Sequence, residues 1–188
     1  MKPSLGVIHG RFQVLHVEHM RYLLEAKRRC EHLIIGVSNP DVALTRHTAA
    51  NPHRDAPLSN PLTYYERMVM IRGSMVEYGV SLEEFGIVPF PICYPELLFN
   101  YVPKEAMFYM TIYDEWSEEK KRALEELGCQ VEVMWQKPAE EKEMSATEVR
   151  SNIIHDRLWE HEVPKFVYRY IMEHGIDRRL KELAAQVG

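Results

Sequence analysis

The chain lacks several features by which large classes of protein are recognised. No apolar run approaches the 18 or more residues of a membrane-spanning helix, and the start carries no apolar segment typical of a signal peptide. Its cysteines, Cys30, Cys93 and Cys129, are odd in number and too widely spaced for a zinc-ligand pair. We therefore expect three reduced cysteines that serve packing, a cytoplasmic location and no membrane partner.

An excess of positive charge is also missing. Lysine and arginine number 23 against 28 aspartates and glutamates, which gives a formal net charge of −5. Proteins that follow a nucleic-acid backbone usually carry a basic excess. We expect no nucleic-acid partner, whereas a local basic pocket for one small anion stays compatible with this charge.

The familiar phosphate-binding loops G-x-x-x-x-G-K-[ST] and G-x-G-x-x-G are absent, and so are hairpin dipeptides such as Asn-Gly. What is present is an alternation of strand-like and helix-like segments, which indicates a mainly parallel sheet. A length of 188 residues suits one domain. We predict a single α/β domain over residues 1–188, with a doubly wound, mainly parallel five-stranded sheet in 1–155 and C-terminal helices in 156–188.

The individual segments follow from apolar periodicity and from capping residues. A long loop with four prolines separates the second strand from the second helix, at residues 38–62. The predicted strands are 5–9, 33–37, 86–90, 107–112 and 130–135, and the predicted helices are 17–30, 64–78, 117–127, 145–154, 164–174 and 176–187.

The turn after the first strand is the first place to look for a site, because parallel sheets bind ligands beyond the carboxyl ends of their strands. Gly10 allows close approach of a ligand, and His16 and His19 share a face at the first turn of a helix. With the N–H groups of that helix they form a candidate anion site. Three histidines, with His9, could also chelate a metal, but only Glu18 could join them and it faces elsewhere. We name no protein metal ligand.

Three segments carry a resemblance to a known family. Residues 10–19 resemble the G-R-F-Q-P-x-H-x-G-H signature of the nucleotidyltransferase superfamily, and residues 144–150, with the sequence MSATEVR, match its [IMY]-S-[SGA]-T-x-[IV]-R signature. Residues 60–68 resemble the D-P-F-T-x-x-E-R-x segment of archaeal nicotinamide-nucleotide adenylyltransferases, to which the chain is most similar. The segments stand in the family's order between residues 5 and 155.

The resemblance implies a Rossmann-like fold and transfer of AMP from ATP to nicotinamide or nicotinate mononucleotide, a step of NAD biosynthesis. Such a transfer needs donors and cations that stabilise phosphate charge rather than an enzyme nucleophile. Mg²⁺ is expected to arrive with the triphosphate, and a homo-oligomer is compatible with the resemblance. The predicted catalytic residues are His16, His19 and Arg150, and the predicted nucleotide-binding residues are Gly10, Arg11, Phe12, Gln13, Ser145, Ala146 and Thr147.

The chain departs from the family pattern mainly where the acceptor should bind. Val14 replaces a proline, and Glu18 replaces a glycine, so the Glu18 carboxylate must point away from the phosphates or contact the second substrate. Ser59 stands where those enzymes carry an arginine, which the loop arginines could replace. After the fourth strand, two aromatic residues could stack on a ring, and an aspartate could accept a hydrogen bond or only cap a helix. The predicted acceptor-binding residues are Arg46, Arg54, Tyr113, Asp114 and Trp116.

These departures keep two other functions open. One is a cytidylyl- or adenylyltransferase that acts on a different phosphate or phosphonate acceptor, with CTP as a possible donor. The other is a nucleotide sensor without catalysis, against which the intact signature residues argue.

Overall fold

A five-stranded, entirely parallel sheet forms the centre of the computed structural model, which describes residues 2–41, 57–136 and 144–187. The strand order is β3-β2-β1-β4-β5. The predicted fold class is confirmed, and the predicted strand bounds agree to within one residue at each end. The strands are β1 (Leu5–Gly10), β2 (His32–Ser38), β3 (Phe85–Phe90), β4 (Met107–Ile112) and β5 (Gln130–Gln136).

The strand order reverses beside β1. The chain runs outward from β1 through β2 to β3 and then returns to place β4 on the other side of β1. In a doubly wound sheet this reversal opens a crevice at the carboxyl ends of the two central strands. The segment that follows β1 therefore lies at the site where a ligand is expected.

The described residues contain six α-helices, and most begin or end within a residue of the predicted positions. The exception is the third helix, which begins two residues before the predicted Ser117. Asp114 precedes it and accepts hydrogen bonds from the backbone N and the Oγ of Ser117, at 2.8 and 2.6 Å. The helices are α1 (Val17–Arg29), α2 (Tyr64–Glu77), α3 (Glu115–Glu126), α4 (Ala146–Ile154), α5 (Lys165–Glu173) and α6 (Ile176–Val187).

Two apolar cores lie on opposite faces of the sheet. One packs α1, α2 and the helices from α4 onward against the sheet, and the other packs α3 against it with Val7, Phe90 and Phe108. Burial on both faces explains why the strands read as continuous apolar runs. No helix among the described residues is long and apolar enough to cross a membrane.

Candidate active site

A cleft of about 280 Å³ opens at the carboxyl end of β1. A second cavity of about 190 Å³ adjoins it, and the two share six lining residues. Of the ten residues predicted to be catalytic or nucleotide-binding, all but Arg150 line the larger cavity. The shared residues are His9, Gly10, Phe12, His16, His19 and Lys120.

The two signature histidines cap the helix that carries them. His16 is the N-cap of α1, and its Nδ1 accepts from the backbone N of His19 at 3.4 Å, while the Nδ1 of His19 accepts from the backbone N of His16 at 3.4 Å. Their rings stack with centroids 3.7 Å apart. A neutral imidazole whose Nδ1 accepts carries its proton on Nε2. The capping arrangement therefore makes the Nε2–H of each ring a donor.

A second helix N-terminus meets the same cavity. Ser145 caps α4, where its Oγ accepts from the backbone N of Glu148 at 3.2 Å and its own backbone N donates to the Glu148 carboxylate at 2.8 Å. Ser145, Ala146 and Thr147 all line the cleft. A helix N-terminus attracts anions through its unpaired N–H groups and its dipole. The positive ends of α1 and α4 thus lie on one cavity.

Arg150 is placed differently from the prediction. It is 5% exposed, and its guanidinium donates to the Gln13 carbonyl and, at 3.2 Å, to the Thr147 Oγ1. It is not among the described residues that line either cavity. Burial, and then the charge of Arg11, lower its pKa to about 10, so it stays charged at neutral pH. The structure makes Arg150 a positioning residue that ties the two signature segments together, and direct contact with a phosphate stays a prediction.

Gln13 also joins two signature segments through its side chain. Its amide donates to the Leu62 carbonyl at 3.0 Å, and its amide oxygen accepts from the Leu62 backbone N at 2.9 Å. The side chain is buried. Any contact of Gln13 with a nucleotide is therefore left to its backbone.

Arg67 holds together backbone segments that line the site, although it is not among the residues predicted from the sequence. Its guanidinium donates to the carbonyls of Arg11, Ser38 and Asn39 at 3.0, 2.7 and 2.8 Å, and to that of Thr63 at 3.2 Å. Burial is the largest influence on its pKa, which falls to about 10. Its place in the third resembling segment was the signal that could have identified it.

The predicted acceptor-binding residues divide into three groups. Trp116 lines the larger cavity and Tyr113 the smaller one. Asp114 is the N-cap of α3 and is not among the described lining residues, so the structure places it where its capping alternative had it. Arg46 and Arg54 lie outside the described residues.

Glu18 replaces the glycine of the signature without presenting an unpaired charge. Both of its carboxylate oxygens accept from the Arg21 guanidinium at 3.0 Å. The charge of Glu18 is therefore balanced by Arg21, one turn along α1, and does not depend only on a substrate. Glu18 also lines the smaller cavity.

Two of the six residues shared by both cavities, His9 and Lys120, did not figure among the predicted site residues. His9, considered only as a metal ligand, stacks on Phe90 with ring centroids 4.6 Å apart and an interplanar angle of 7°. Burial, and then the charge of Lys120, lower the pKa of His9 to about 3. Lys120 comes from α3, outside every signature. Nothing in its local sequence marks it, since lysines and glutamates fill that helix.

Transfer of a group between phosphates requires groups that stabilise negative charge. Hydrogen-bond donors and helix N-termini supply them here, at the switch point of the parallel sheet. Within the described ranges no cluster of three or more metal-ligating side chains accompanies them. Fold and site together define a nucleotidyltransferase. A model of the cytidylyltransferase-like family matches residues 7–152, and the chain belongs to that family.

Similar proteins agree with this class. The chain is 44% identical over 176 residues to the phosphonoformate cytidylyltransferase of Streptomyces viridochromogenes, covering 94% of this chain and 95% of the relative. It is 31% identical over 182 residues to the nicotinamide-nucleotide adenylyltransferase of Saccharolobus solfataricus, covering 96% of each. The predicted resemblance to the archaeal enzymes is confirmed.

Solved structures support the fold. A bifunctional NMN adenylyltransferase/ADP ribose pyrophosphatase from Francisella tularensis superposes with a TM-score of 0.67 at 15% identity. The match covers 97% of this chain and 53% of that protein. A putative nicotinate-nucleotide adenylyltransferase from Vibrio parahaemolyticus gives a TM-score of 0.60 at 14% identity, over 95% and 96% of the two chains.

Proposed function

We propose that this nucleotidyltransferase transfers CMP from CTP to a small phosphonate or phosphate acceptor and releases pyrophosphate. The observation that carries the proposal is the 44% identity to a phosphonoformate cytidylyltransferase along nearly the whole of both chains. The nicotinamide-nucleotide adenylyltransferases stand at about 30%. This comparison favours the cytidylyl alternative over AMP transfer to nicotinamide mononucleotide, which the sequence resemblance had put first.

The proposed reaction does not need a nucleophile from the protein. An oxygen of the acceptor forms a bond to the α-phosphorus of CTP, the bond from that phosphorus to the bridging oxygen breaks, and pyrophosphate leaves. Negative charge grows on the phosphate oxygens, and fixed donors that face those oxygens lower the barrier. In our proposal the Nε2–H groups of His16 and His19 and the N-termini of α1 and α4 supply these donors.

Magnesium belongs to the proposal as a companion of the triphosphate. When bound, Mg²⁺ would neutralise part of the charge on the β- and γ-phosphates. The cleft offers imidazoles, helix N-termini and the cationic side chains of Arg11 and Lys120, and the described residues hold no cluster of three or more metal-ligating side chains. This set fits a metal carried mainly by the phosphates and water.

The acceptor side supports a substrate other than nicotinamide mononucleotide. Three residues that depart from the adenylyltransferase pattern, Glu18, Tyr113 and Trp116, line one of the two cavities, whereas the departures Val14 and Ser59 do not. The residues that follow the pattern, such as His16, His19 and Ser145, line the cleft in which we propose that the phosphates bind. An enzyme for a different acceptor would keep the family's residues at the phosphate site and differ from the adenylyltransferase pattern at the acceptor site.

The test is a substrate matrix. The purified protein is incubated with Mg²⁺, either CTP or ATP, and phosphonoformate, methylphosphonate or nicotinamide mononucleotide, while pyrophosphate is measured and products are identified by mass spectrometry. We expect release with CTP and a phosphonate. Turnover with ATP and nicotinamide mononucleotide alone would overturn the proposal, and so would no turnover with any pair. His19→Ala serves as the control that the activity arises in this cleft.

A further inference from the structure

His9 brings an unsatisfied polar atom to the site. It stands at the end of β1, directly before the anion-binding turn, and its Nε2 is buried with no hydrogen-bond partner among the described residues. A buried polar nitrogen without a partner is unfavourable unless a ligand or an ordered water supplies the partner. His9 lines both cavities, so its ring borders the space in which a ligand would bind.

Lys120 extends from α3 into the same space. Its ammonium lies 5.6 Å from the centroid of the Trp116 ring, and its side chain lines both cavities together with His9. The charge of Lys120 is felt at His9, where it adds to burial in keeping the imidazole neutral. The two side chains therefore present one cation beside one neutral ring nitrogen.

A third group has the same character. The Oγ1 of Thr111, at the end of β4, is buried without a hydrogen-bond partner among the described residues and lines the smaller cavity with His9 and Lys120. A hydroxyl can donate to an anion. Two neighbouring strands thus end in polar atoms that have no partner among the described residues. This indicates that the corner of the cleft formed by His9, Thr111 and Lys120 binds a polar ligand.

His9 and Lys120 pack on the opposite face of the sheet from the helices that carry the proposed phosphate donors. The helices α1 and α4 pack on one face of the sheet, whereas Phe90, on which His9 stacks, belongs to the core of the other face with α3. In a phosphoryl transfer the attacking oxygen and the leaving group lie roughly in line on opposite sides of the phosphorus. If α1 and α4 hold the leaving pyrophosphate, the acceptor approaches from the side of His9 and Lys120.

We propose that His9 and Lys120 bind a carboxylate on the acceptor and so select a phosphonate that carries this second acidic group. The inference rests on the proposed function. The ammonium of Lys120 pairs with the carboxylate, and the His9 Nε2–H donates to it. A carboxylate matches a cation beside a neutral donor, because it brings a single charge and accepts several hydrogen bonds.

The test compares two acceptors of nearly the same shape, phosphonoformate and carbamoylphosphonate, in which a neutral carboxamide replaces the carboxylate. With CTP and Mg²⁺ we expect the wild-type kcat/KM to favour phosphonoformate about tenfold or more, the size of one charge-assisted hydrogen bond. Lys120→Met should raise the KM for phosphonoformate and remove this preference. The KM for carbamoylphosphonate should rise by a smaller factor, because that acceptor lacks the carboxylate.

Matched variants separate charge from structure. Lys121→Met changes the neighbouring lysine of α3, which pairs with Glu125 at 2.8 Å and does not line the described cavities, and it should keep the preference. His9→Phe keeps an aromatic ring against Phe90 and removes the nitrogen. It should weaken the preference by raising the KM for phosphonoformate more than the KM for carbamoylphosphonate.

The outcomes distinguish this inference from the proposed function. Equal use of the two acceptors by the wild type, or a Lys120→Met variant that raises only the KM for CTP, would overturn the inference and leave the proposed function standing. No pyrophosphate from CTP with these two acceptors or with methylphosphonate would overturn the proposed function. Calorimetric titration of phosphonoformate would then decide the inference. A tenfold weaker affinity in Lys120→Met supports it, and equal affinity or no binding to the wild type overturns it.

Discussion

At the scale of single residues, the capping hydrogen bonds of His16 and His19 also determine which ring nitrogen of each histidine carries the proton. Each Nδ1 accepts a backbone hydrogen bond from the other's residue, so the neutral rings carry their protons on Nε2. The same bonds hold the rings stacked at the start of α1. The pair is therefore a rigid set of donors before any substrate arrives, and little ordering remains to be done in the transition state.

We predict that His19→Ala lowers kcat by about 10²-fold or more, the usual cost of removing one donor to a transition state. The KM for the nucleotide should change far less. Steady-state kinetics with the matched control His161→Ala, which alters an exposed histidine outside both cavities, check this. Unchanged turnover in His19→Ala would place the anion site elsewhere.

We also predict that His9 stays neutral when exposed histidines have become charged. Burial, and then Lys120, lower the pKa of His9 to about 3, whereas an unfolded histidine titrates near 6.5. Between these values the unfolded state binds more protons, so His9 lowers the stability as pH falls below about 6.5. Nuclear magnetic resonance of the ring nitrogens between pH 7 and 4 should show no titration of His9. A His9 midpoint near 6 would contradict the prediction.

The sequence identified residues of this site unevenly. Nine of the ten predicted phosphate-side residues line the cleft, because two recognisable segments each begin a helix at the same edge of the sheet. The guanidinium of Arg150 could not be placed, because its partner is the carbonyl of Gln13, 137 residues earlier in the chain. Lys120 was missed because only the tertiary position of α3 distinguishes it from its neighbour Lys121.

At the scale of elements, the capped helices could be located from local sequence, but their mutual contacts could not. Thr63 and Glu66 form a capping box at the start of α2. Glu66 has a second partner that no local pattern indicates. Its carboxylate accepts two hydrogen bonds from Arg179 of α6, at 2.8 and 2.9 Å. One side chain thus caps α2 and ties it to the last helix.

This bridge gives a pH-dependent prediction. Burial opposes ionisation of Glu66, but hydrogen bonds from Arg179 and Thr63 outweigh it and hold its pKa below the ordinary value. A carboxyl group with a lowered folded pKa adds stability above its unfolded pKa and loses it as pH falls through the folded one. We expect Arg179→Met to cost about 1 kcal/mol in the free energy of unfolding at pH 7.

Urea denaturation at a series of pH values measures this. The difference between wild type and Arg179→Met should shrink as the pH falls through the lowered pKa of Glu66. Arg178→Met, at an exposed neighbouring position, is the control and should cost little at any pH. A gap that stays constant down to pH 2 would mean that Arg179 acts through packing and not through the ion pair.

At the scale of the whole molecule, alternation of apolar runs and amphipathic segments was enough to predict the class of fold. Strand order could not come from that pattern, since the return of the chain from β3 to β4 beside β1 depends on long-range packing. The C-terminal helices illustrate the same limit. Val167, Ile171, Ile176 and Leu180 lie in one apolar core with α1 and α2, so these helices are part of the folding unit.

We therefore predict that damage to α5 destabilises the entire described fold. Ile171→Ala removes a fully buried side chain and should cost about 2–5 kcal/mol in the free energy of unfolding. Near- and far-ultraviolet circular dichroism should still report one coincident transition. Met172→Ala, at the adjacent exposed position, should change stability by less than about 0.5 kcal/mol. Separate transitions from the two signals would show that α5 and α6 unfold on their own.

The ties made by Arg67, Gln13 and Arg150 have a consequence for how such an enzyme can change. Arg67 and Arg150 donate to backbone carbonyls of the turn after β1, and the Gln13 side chain ties that turn to Leu62. None of the three residues comes from α3 or the end of β4. The region proposed to hold the phosphates is thus held in place by bonds that do not involve the region proposed to bind the acceptor. Substitutions at positions such as Trp116 and Lys120, in evolution or by design, can therefore change the acceptor while the residues that carry out the transfer keep their places.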